Sequence, residues 1–272
     1  MNGAAGVDAF SVTVEGRRVH CLKQGTGDQV FVLIPGYAAD HTTWLFTQPA
    51  LAAQGRVYAP DLPGTGLSSL DVGGGDIAFF ARIVLSLMDH QGIASAHLVG
   101  HSMGASIAVE LATAARERVS ALTLIGPGGI DPWINMTFIS GFPRVRSISD
   151  ARTMMEMLVA NPKLISPEAL RLVVAYTTTP GVPEALDTIA AASFPGRQAY
   201  LYRERIAELG VPTRIVWGAE DAIVRPIATG FPPDVPVHVI PKAGHLVHLE
   251  QAPAVNRLIL ARREAHVSQS RA

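Results

Sequence analysis

The sequence predicts an α/β architecture on a mostly parallel sheet, and three observations lead there. Val30–Ile34 and Val119–Ile125 are almost continuously apolar, as strands covered on both faces must be. Stretches with apolar residues at helical spacing alternate with these runs. Gly and Pro close each run, so the elements are separated by turns.

Residues 10–14 and 18–22 read as two short strands around a turn at Glu15-Gly16, a hairpin. Val30–Ile34 ends at Pro35-Gly36, and residues 56–59 form a strand closed by Pro60. Asp61-Leu62-Pro63-Gly64-Thr65-Gly66 is a turn or loop, being too rich in Pro and Gly for an element interior. A helix follows over 77–90 and stops at Gly92. Residues 96–99 form a strand that passes Gly100 and turns at once into a helix from 102 to about 115. Val119–Ile125 is stopped by Gly126-Pro127-Gly128-Gly129. From 130 to 209 the alternation lapses into helical pieces at 151–158, 167–175 and 183–191, separated by prolines and without a buried strand. Strands resume at 212–217 and 235–240, and an amphipathic helix from about 253 to 265 precedes a polar tail. The organisation expected is a core of residues 1–129 and 210–272 with a helical lid, 130–209, inserted into it.

Composition narrows the function. The 272 residues are 48% hydrophobic and 17% charged, enough to bury a sizeable core and unlike a disordered chain. With 22 basic against 23 acidic residues there is no basic field to attract nucleic acid. The single cysteine, Cys21, cannot form an internal disulfide and excludes a cysteine-based metal site; it reads as a buried thiol on a strand. Residues 1–10 lack the basic start and apolar run of an export signal. The nearest approach to a membrane span, 122–142, is broken by Asp131 and several Gly and Pro, short of the roughly 18 apolar residues required. A soluble cytoplasmic protein without membrane or nucleic-acid partners is expected, either monomer or dimer.

Chemistry enters at Gly100-His101-Ser102-Met103-Gly104. The pattern G-x-S-x-G between a strand and a helix is a nucleophile elbow, a sharp turn that projects the serine oxygen over the sheet edge. An ordinary glycine-rich turn would explain the letters but not the motifs that follow. Serine needs a base to take its proton. Val216-Trp217-Gly218-Ala219-Glu220-Asp221 places an acid just past a strand, and Lys242-Ala243-Gly244-His245 places a histidine after the final one. These positions lie where parallel strands end on the edge that carries the elbow, the edge where open α/β sheets keep their sites. His245 is then the base for Ser102, and Asp221 fixes its tautomer. Glu220 is the competing acid, one residue earlier and so directed the other way. The oxyanion formed on attack needs two donors. The candidates are the backbone N–H groups of Met103, next to the nucleophile, and of Tyr37, in the turn after the third strand. Of the remaining histidines, His20, His41, His90, His97, His238 and His266 read as surface or element-end residues. His101 reads as packing beside the elbow, and His248 as exposed or a cap of the last helix.

The elbow, Asp61-Leu62-Pro63-Gly64-x-Gly66-x-Ser68, Trp217-Gly218-x-x-Asp221 and Gly244-His245 occur in the order found in α/β-hydrolases, which the chain resembles over nearly its whole length. The resemblance implies the α/β-hydrolase fold: a mostly parallel eight-stranded sheet flanked by helices, with an inserted helical lid. Within that superfamily the chain most resembles the hydrolase-like C-terminal domain of acetoin dehydrogenase acetyltransferase components. Residues 98–104, 125–130, 134–135 and 181–197 carry this closer match. Those relatives have a lipoyl-lysine domain upstream; with about ten residues before the first strand, none is expected here, and the likeness is expected to extend to fold and triad only. Pro35-Gly36 stands where many relatives have His-Gly, Tyr37 replaces a small residue and is expected to narrow the site, Thr65 replaces a usual histidine and Ala105 a usual second glycine. A serine at the elbow sets aside haloalkane dehalogenases and epoxide hydrolases, which use aspartate. Carbon–carbon bond hydrolases share Ser-Met-Gly but typically place an aromatic residue after the catalytic histidine, where this chain has Leu246.

These readings imply a serine hydrolase that cleaves a small to medium carboxylic ester or thioester through an acyl-enzyme on Ser102, with a small-molecule acyl substrate and neither cofactor nor metal. The lid would supply a pocket lined by Trp133, Ile134, Met136, Phe138 and Phe142. The alternatives are an acyltransferase or perhydrolase with the same triad, a C–C bond hydrolase, and a non-catalytic small-molecule receptor on a hydrolase scaffold.

Overall fold

A computed structural model of the chain describes residues 6–261. Near its start Glu15 and Gly16 have φ of 47° and 75°, the left-handed pair that lets a tight hairpin follow the twist of its strands. β1 (Asp8–Val14) therefore folds back on β2 (Arg17–Gln24), with Val14 opposite Arg17. β2 lies antiparallel to β4 (Arg56–Pro60). Every other neighbour is parallel: β4 with β3 (Val30–Ile34), β3 with β5 (Ala96–His101), β5 with β6 (Val119–Ile125), β6 with β7 (Thr213–Gly218), and β7 with β8 (Val237–Ile240). The sheet order is β1-β2-β4-β3-β5-β6-β7-β8.

Alternation along the strands divides the core in two. Phe31 and Leu33 of β3, Val57 and Ala59 of β4, Val99 of β5 and Val216 of β7 face one side, where Trp44, Leu51, Val255 and Ile259 cover them. Leu51 belongs to α1 (Gln48–Ala52), which packs on the C-terminal α10 (Ala252–Leu260). Val32, Tyr58, Leu98, Leu122, Leu124 and Trp217 face the other side, beneath α2 (Ile77–His90) and α3 (Met103–Ala114). Strands covered on both faces can have no polar face, hence their unbroken apolar runs.

Between β6 and β7 the chain leaves the sheet for α4 (Met136–Gly141), α5 (Ile148–Glu156), α6 (Pro167–Thr178), α7 (Val182–Ser193) and α8 (Arg203–Glu208), with no strand among them. Gln198 ties the two ends of this helical insertion together. Its Oε1 accepts the Gly129 N–H at 2.5 Å and its Nε2 donates to the Asp131 carbonyl at 3.0 Å. The short α9 (Val247–Glu250) precedes α10.

Several boundaries depart from the sequence reading. α5 starts at Ile148 because the Ser147 hydroxyl accepts the Asp150 N–H, an N-cap. Pro60 is the last residue of β4, opposite Cys21, instead of following the strand. α1, α4, α8 and α9 escape prediction, being too short for a helical period to register. The last helix ends at Leu260, where Ala261 turns extended (ψ 116°), short of the predicted 265; residues 262–265 lie outside the described residues.

The order of strands decides where loops meet. The chain passes from β3 outward to β4, then returns to the other side of β3 as β5, so the loops after β3 and β5 flank the crevice where the direction reverses. α3 packs so closely there that a Cβ on Gly104 would lie 2.1 Å from the Ile34 carbonyl oxygen. Gly104→Ala is therefore expected to destabilise the protein by about 1–3 kcal/mol, in the range of overpacked cores. A thermal melt identical to that of the native sequence would contradict this packing.

Candidate active site

Ser102 joins β5 to α3 with φ 54° and ψ −118°, a region costly for a residue with a Cβ. Hydrogen bonds on both sides hold it there. Its N–H donates to the Ile125 carbonyl at 2.9 Å, and its own carbonyl accepts from Ala105 at 3.0 Å and Gly128 at 3.1 Å. The Ser102 side chain makes no capping bond to its helix.

Asp221 lies three residues past the end of β7, on a tight turn closed by its N–H to the Gly218 carbonyl. Its side chain is fully buried. Oδ1 accepts the Ile223 and Val224 amides at 2.9 and 3.0 Å, which aims Oδ2 at His245 Nδ1, 2.8 Å away. A carboxylate partner on Nδ1 leaves the lone pair of the neutral ring on Nε2, the tautomer a general base needs. Glu220, the competing acid, is exposed, and its amide is spent on the Ala243 carbonyl.

His245 follows β8, and its main chain is held at three consecutive points. The Gly244 N–H donates to Glu250 Oε2 at 2.6 Å, the His245 carbonyl accepts from His101 Nε2 at 3.0 Å, and the Leu246 N–H donates to the Leu158 carbonyl at 2.9 Å. To reach across from β8 and β7, the imidazole and the carboxylate pass over the end of β6. There Gly126 has φ 46°, and a Cβ would lie 3.2 Å from His245 Nδ1 and 3.3 Å from Asp221 Oδ2. The sequence marks Gly126 only as a strand stop; its role beside the ring is a tertiary fact.

His248 corrects the sequence reading, which left it exposed or capping. It is wholly buried, its Nε2 2.8 Å from Thr43 Oγ1. Its ring lies 4.8 Å from Trp44 and 4.5 Å from His101, and His101 lies 4.6 Å from His245, so aromatic rings run in file beneath the candidate base. His101 packs, as expected. His20 and His97 are buried too, and His41 is half-buried with Nδ1 2.8 Å from Asp61 Oδ1. His20, His41 and Asp61 bring ligand-type atoms within 4.8 Å of one another. The Asp61 carboxylate there accepts the His41 N–H and ring Nδ1–H on one oxygen and the Leu67 N–H on the other, which organises the loop after β4.

Tyr37 follows Gly36, whose Cβ position is 3.1 Å from Ser102 Cβ, so this loop lies against the serine. Neither the Tyr37 nor the Met103 N–H donates to another described residue. The Tyr37 ring is buried edge-on to Phe194, and its hydroxyl donates to the carbonyls of Leu186 at 3.2 Å and Ile139 at 3.4 Å. Of the apolar residues assigned to a pocket, Ile134, Phe138 and Phe142 are buried, the two phenylalanines 5.4 Å apart. Trp133 and Met136 are half-buried, and Trp133 lies under the Arg225 guanidinium at 4.4 Å. No helix among the described residues is long and apolar enough to cross a membrane.

Comparison with known proteins gives the following. Residues 29–252 match the family model described as alpha/beta hydrolase fold. Over 238 residues the chain is 38% identical to the dihydrolipoyllysine-residue acetyltransferase component of the acetoin cleaving system of Pseudomonas putida, covering 87% of this chain and 64% of that protein. It is 30% identical to a 2-hydroxy-6-oxo-6-phenylhexa-2,4-dienoate hydrolase of Burkholderia cepacia, covering 89% of this chain and 90% of that one. A solved meta-cleavage product hydrolase from Pseudomonas fluorescens IP01 superposes with a TM-score of 0.84 at 25% identity, over 94% of this chain and 96% of the other.

Burial gives the histidines a measurable consequence. Desolvation, above all, holds His97 and His248 down to about 3 and His101 well below an ordinary imidazole. These rings take up protons below about pH 6.5 in the unfolded chain but not in the folded one. Their stabilisation is thus complete above about pH 6.5 and drains away as pH falls from there toward about 3. The urea midpoint is expected to drop between about pH 7 and pH 5, and to drop less in His97→Asn. An unchanged midpoint would contradict the burial of neutral imidazoles.

Proposed function

We propose, from the premise that this chain belongs to the alpha/beta hydrolase fold family, that it is a serine hydrolase cleaving a neutral, small to medium carboxylic ester or thioester through an acyl-enzyme on Ser102. The observation that carries the reading is the 2.8 Å bond between His245 Nδ1 and Asp221 Oδ2, at the sheet edge where Ser102 is held in a strained turn. Ser102 Oγ attacks the carbonyl carbon while His245 Nε2 takes its proton. The Tyr37 and Met103 N–H groups receive the oxyanion. The imidazolium then protonates the departing alcohol or thiol, and water activated by the same ring releases the acid. Asp221 stays ionised throughout and stabilises the ring's positive charge.

The character of the insertion supports a neutral acyl group. The Burkholderia relative acts, by its name, on a dienoate, and a buried carboxylate needs a cation or several N–H donors. Here Arg144, Arg146, Arg152, Lys163, Arg171, Arg197 and Arg205 are all exposed. Arg203, half-buried, is engaged with the Thr229 and Gly230 carbonyls. No basic residue of 130–209 is turned inward. The 38% likeness to an acetyltransferase component favours a second reading, in which the same acyl-enzyme passes its acyl group to an alcohol or thiol; partition of product between water and added thiol separates the two.

A burst of p-nitrophenolate equal to the enzyme concentration is expected with p-nitrophenyl butyrate, and none with Ser102→Ala. Asp221→Asn is expected to lower kcat by about 10⁴-fold. An otherwise equal ester whose acyl chain ends in a carboxylate is expected to react at least roughly tenfold more slowly. No turnover of any neutral ester or thioester, or preference for the acidic one, would overturn the reading.

A further inference from the structure

The Glu250 carboxylate closes α9 and folds back over it to serve two distant segments. Oε1 accepts the Ala160 and Asn161 N–H groups, each at 3.0 Å, and Oε2 accepts the Gly244 N–H at 2.6 Å and shares the Ala160 N–H at 3.1 Å. Residues 160 and 161 belong to the helical insertion, just past α5; Gly244 precedes His245. A second, independent contact joins the same segments: the Leu246 N–H donates to the Leu158 carbonyl at 2.9 Å. They touch so closely that a Cβ on Gly244 would lie 2.8 Å from the Leu158 oxygen and 2.9 Å from the Ala160 nitrogen. Ionised carboxylates make the stronger hydrogen bonds to amides, and this one takes three N–H donors, Ala160, Asn161 and Gly244, from two segments far apart in sequence.

We infer that Glu250 is a positioning residue: its carboxylate docks residues 158–161 of the insertion onto the Gly244–Leu246 loop, so that His245 is seated for proton transfer only while the insertion is docked. The inference rests on the reading of Ser102 and His245 as nucleophile and base. Two of the three points that fix the His245 main chain, the Gly244 and Leu246 amides, depend on this junction; only the carbonyl is held from the core, by His101. The imidazole is in turn bonded to Asp221 at 2.8 Å, so a loop displaced by a fraction of an ångström lengthens that bond and misdirects Nε2. A purely structural Glu250 would instead lower the melting temperature and leave the chemistry of the folded protein intact.

The test uses the full chain and Glu250→Ala and Glu250→Gln, with folding checked by circular dichroism. Three readouts are taken below the melting transition: the rate of Ser102 labelling by a fluorophosphonate, kcat and KM on p-nitrophenyl butyrate, and the low-field proton resonance of His245 Nδ1–H. Expected for Glu250→Ala are labelling and kcat reduced between about tenfold and a hundredfold, the scale of a small misplacement of a catalytic group, with KM little changed and the resonance shifted or broadened. Glu250→Gln, which keeps the shape and one accepting oxygen, is expected to fall between. Folded variants that label at the native rate with an unchanged resonance overturn the inference. Should both variants fail to fold, amide hydrogen exchange of the native protein decides: Gly244, Leu246, Ala160 and Asn161 are expected to open together, and independent opening overturns it. Absence of Ser102 labelling in the native protein would instead refute the nucleophile assignment beneath it.

Discussion

Main chain must touch main chain where the loops after β3, β5, β7 and β8 converge, and the rest of the site depends on that contact. A Cβ at Gly104 would meet the Ile34 oxygen at 2.1 Å, and one at Gly218 would meet the Gly244 oxygen, also at 2.1 Å. Parallel register sets the sideways spacing, with Ile34 beside Gly100 and Gly218 beside Ile240. Neighbouring strands about 4.8 Å apart cannot by themselves bring a side chain from β8 to one from β5, three strands away. The span is closed because β6 is followed by a residue without a side chain, Gly126, so Asp221 and His245 can lean over it.

The helical insertion is fastened to four loops of that edge, those after β3, β4, β7 and β8. Tyr37 donates from the loop after β3 to Ile139 and Leu186, and Tyr176 donates to the Gly64 carbonyl in the loop after β4 at 2.8 Å. Asn135 donates through its backbone to Ile223 and through its side chain to Ala222, on the turn that carries Asp221, each at 3.0 Å. Glu250 fastens the loop after β8. Each of these bonds sets a main-chain group against Tyr37, Tyr176, Asn135 or Glu250, so the insertion's placement rests on those four residues and its other side chains are free to differ. Relatives with acetyltransferase, dienoate-hydrolase and meta-cleavage hydrolase names are compatible with such a division of labour.

Ser102, Asp221 and His245 were legible because each sits within a few residues of a strand end and carries its signal locally: glycines around the serine, an acid after Trp217-Gly218, a histidine after Gly244. The parallel sheet was legible for the same reason, since strands buried on both faces read as apolar runs. Partner choice over long distances was not. Nothing beside His248 in sequence announces Thr43 or Trp44, and Glu250, on a four-residue helix, resembles any solvated acid. His41 reads as a surface residue in sequence, yet Asp61, at the start of the loop after the next strand, holds its Nδ1. Tyr37 was expected to narrow the site; what its letter could not tell is that its hydroxyl would be spent on carbonyls of the insertion.

The central claim is that one hydroxyl, Ser102, is made nucleophilic by one imidazole. Peptide mapping of the adduct left by a fluorophosphonate, on the native protein and on His245→Ala, tests it most directly. A single adduct on Ser102, formed at least about 10³-fold more slowly without the imidazole, is the expected result; an adduct on another serine, or equal rates in the two proteins, would contradict it.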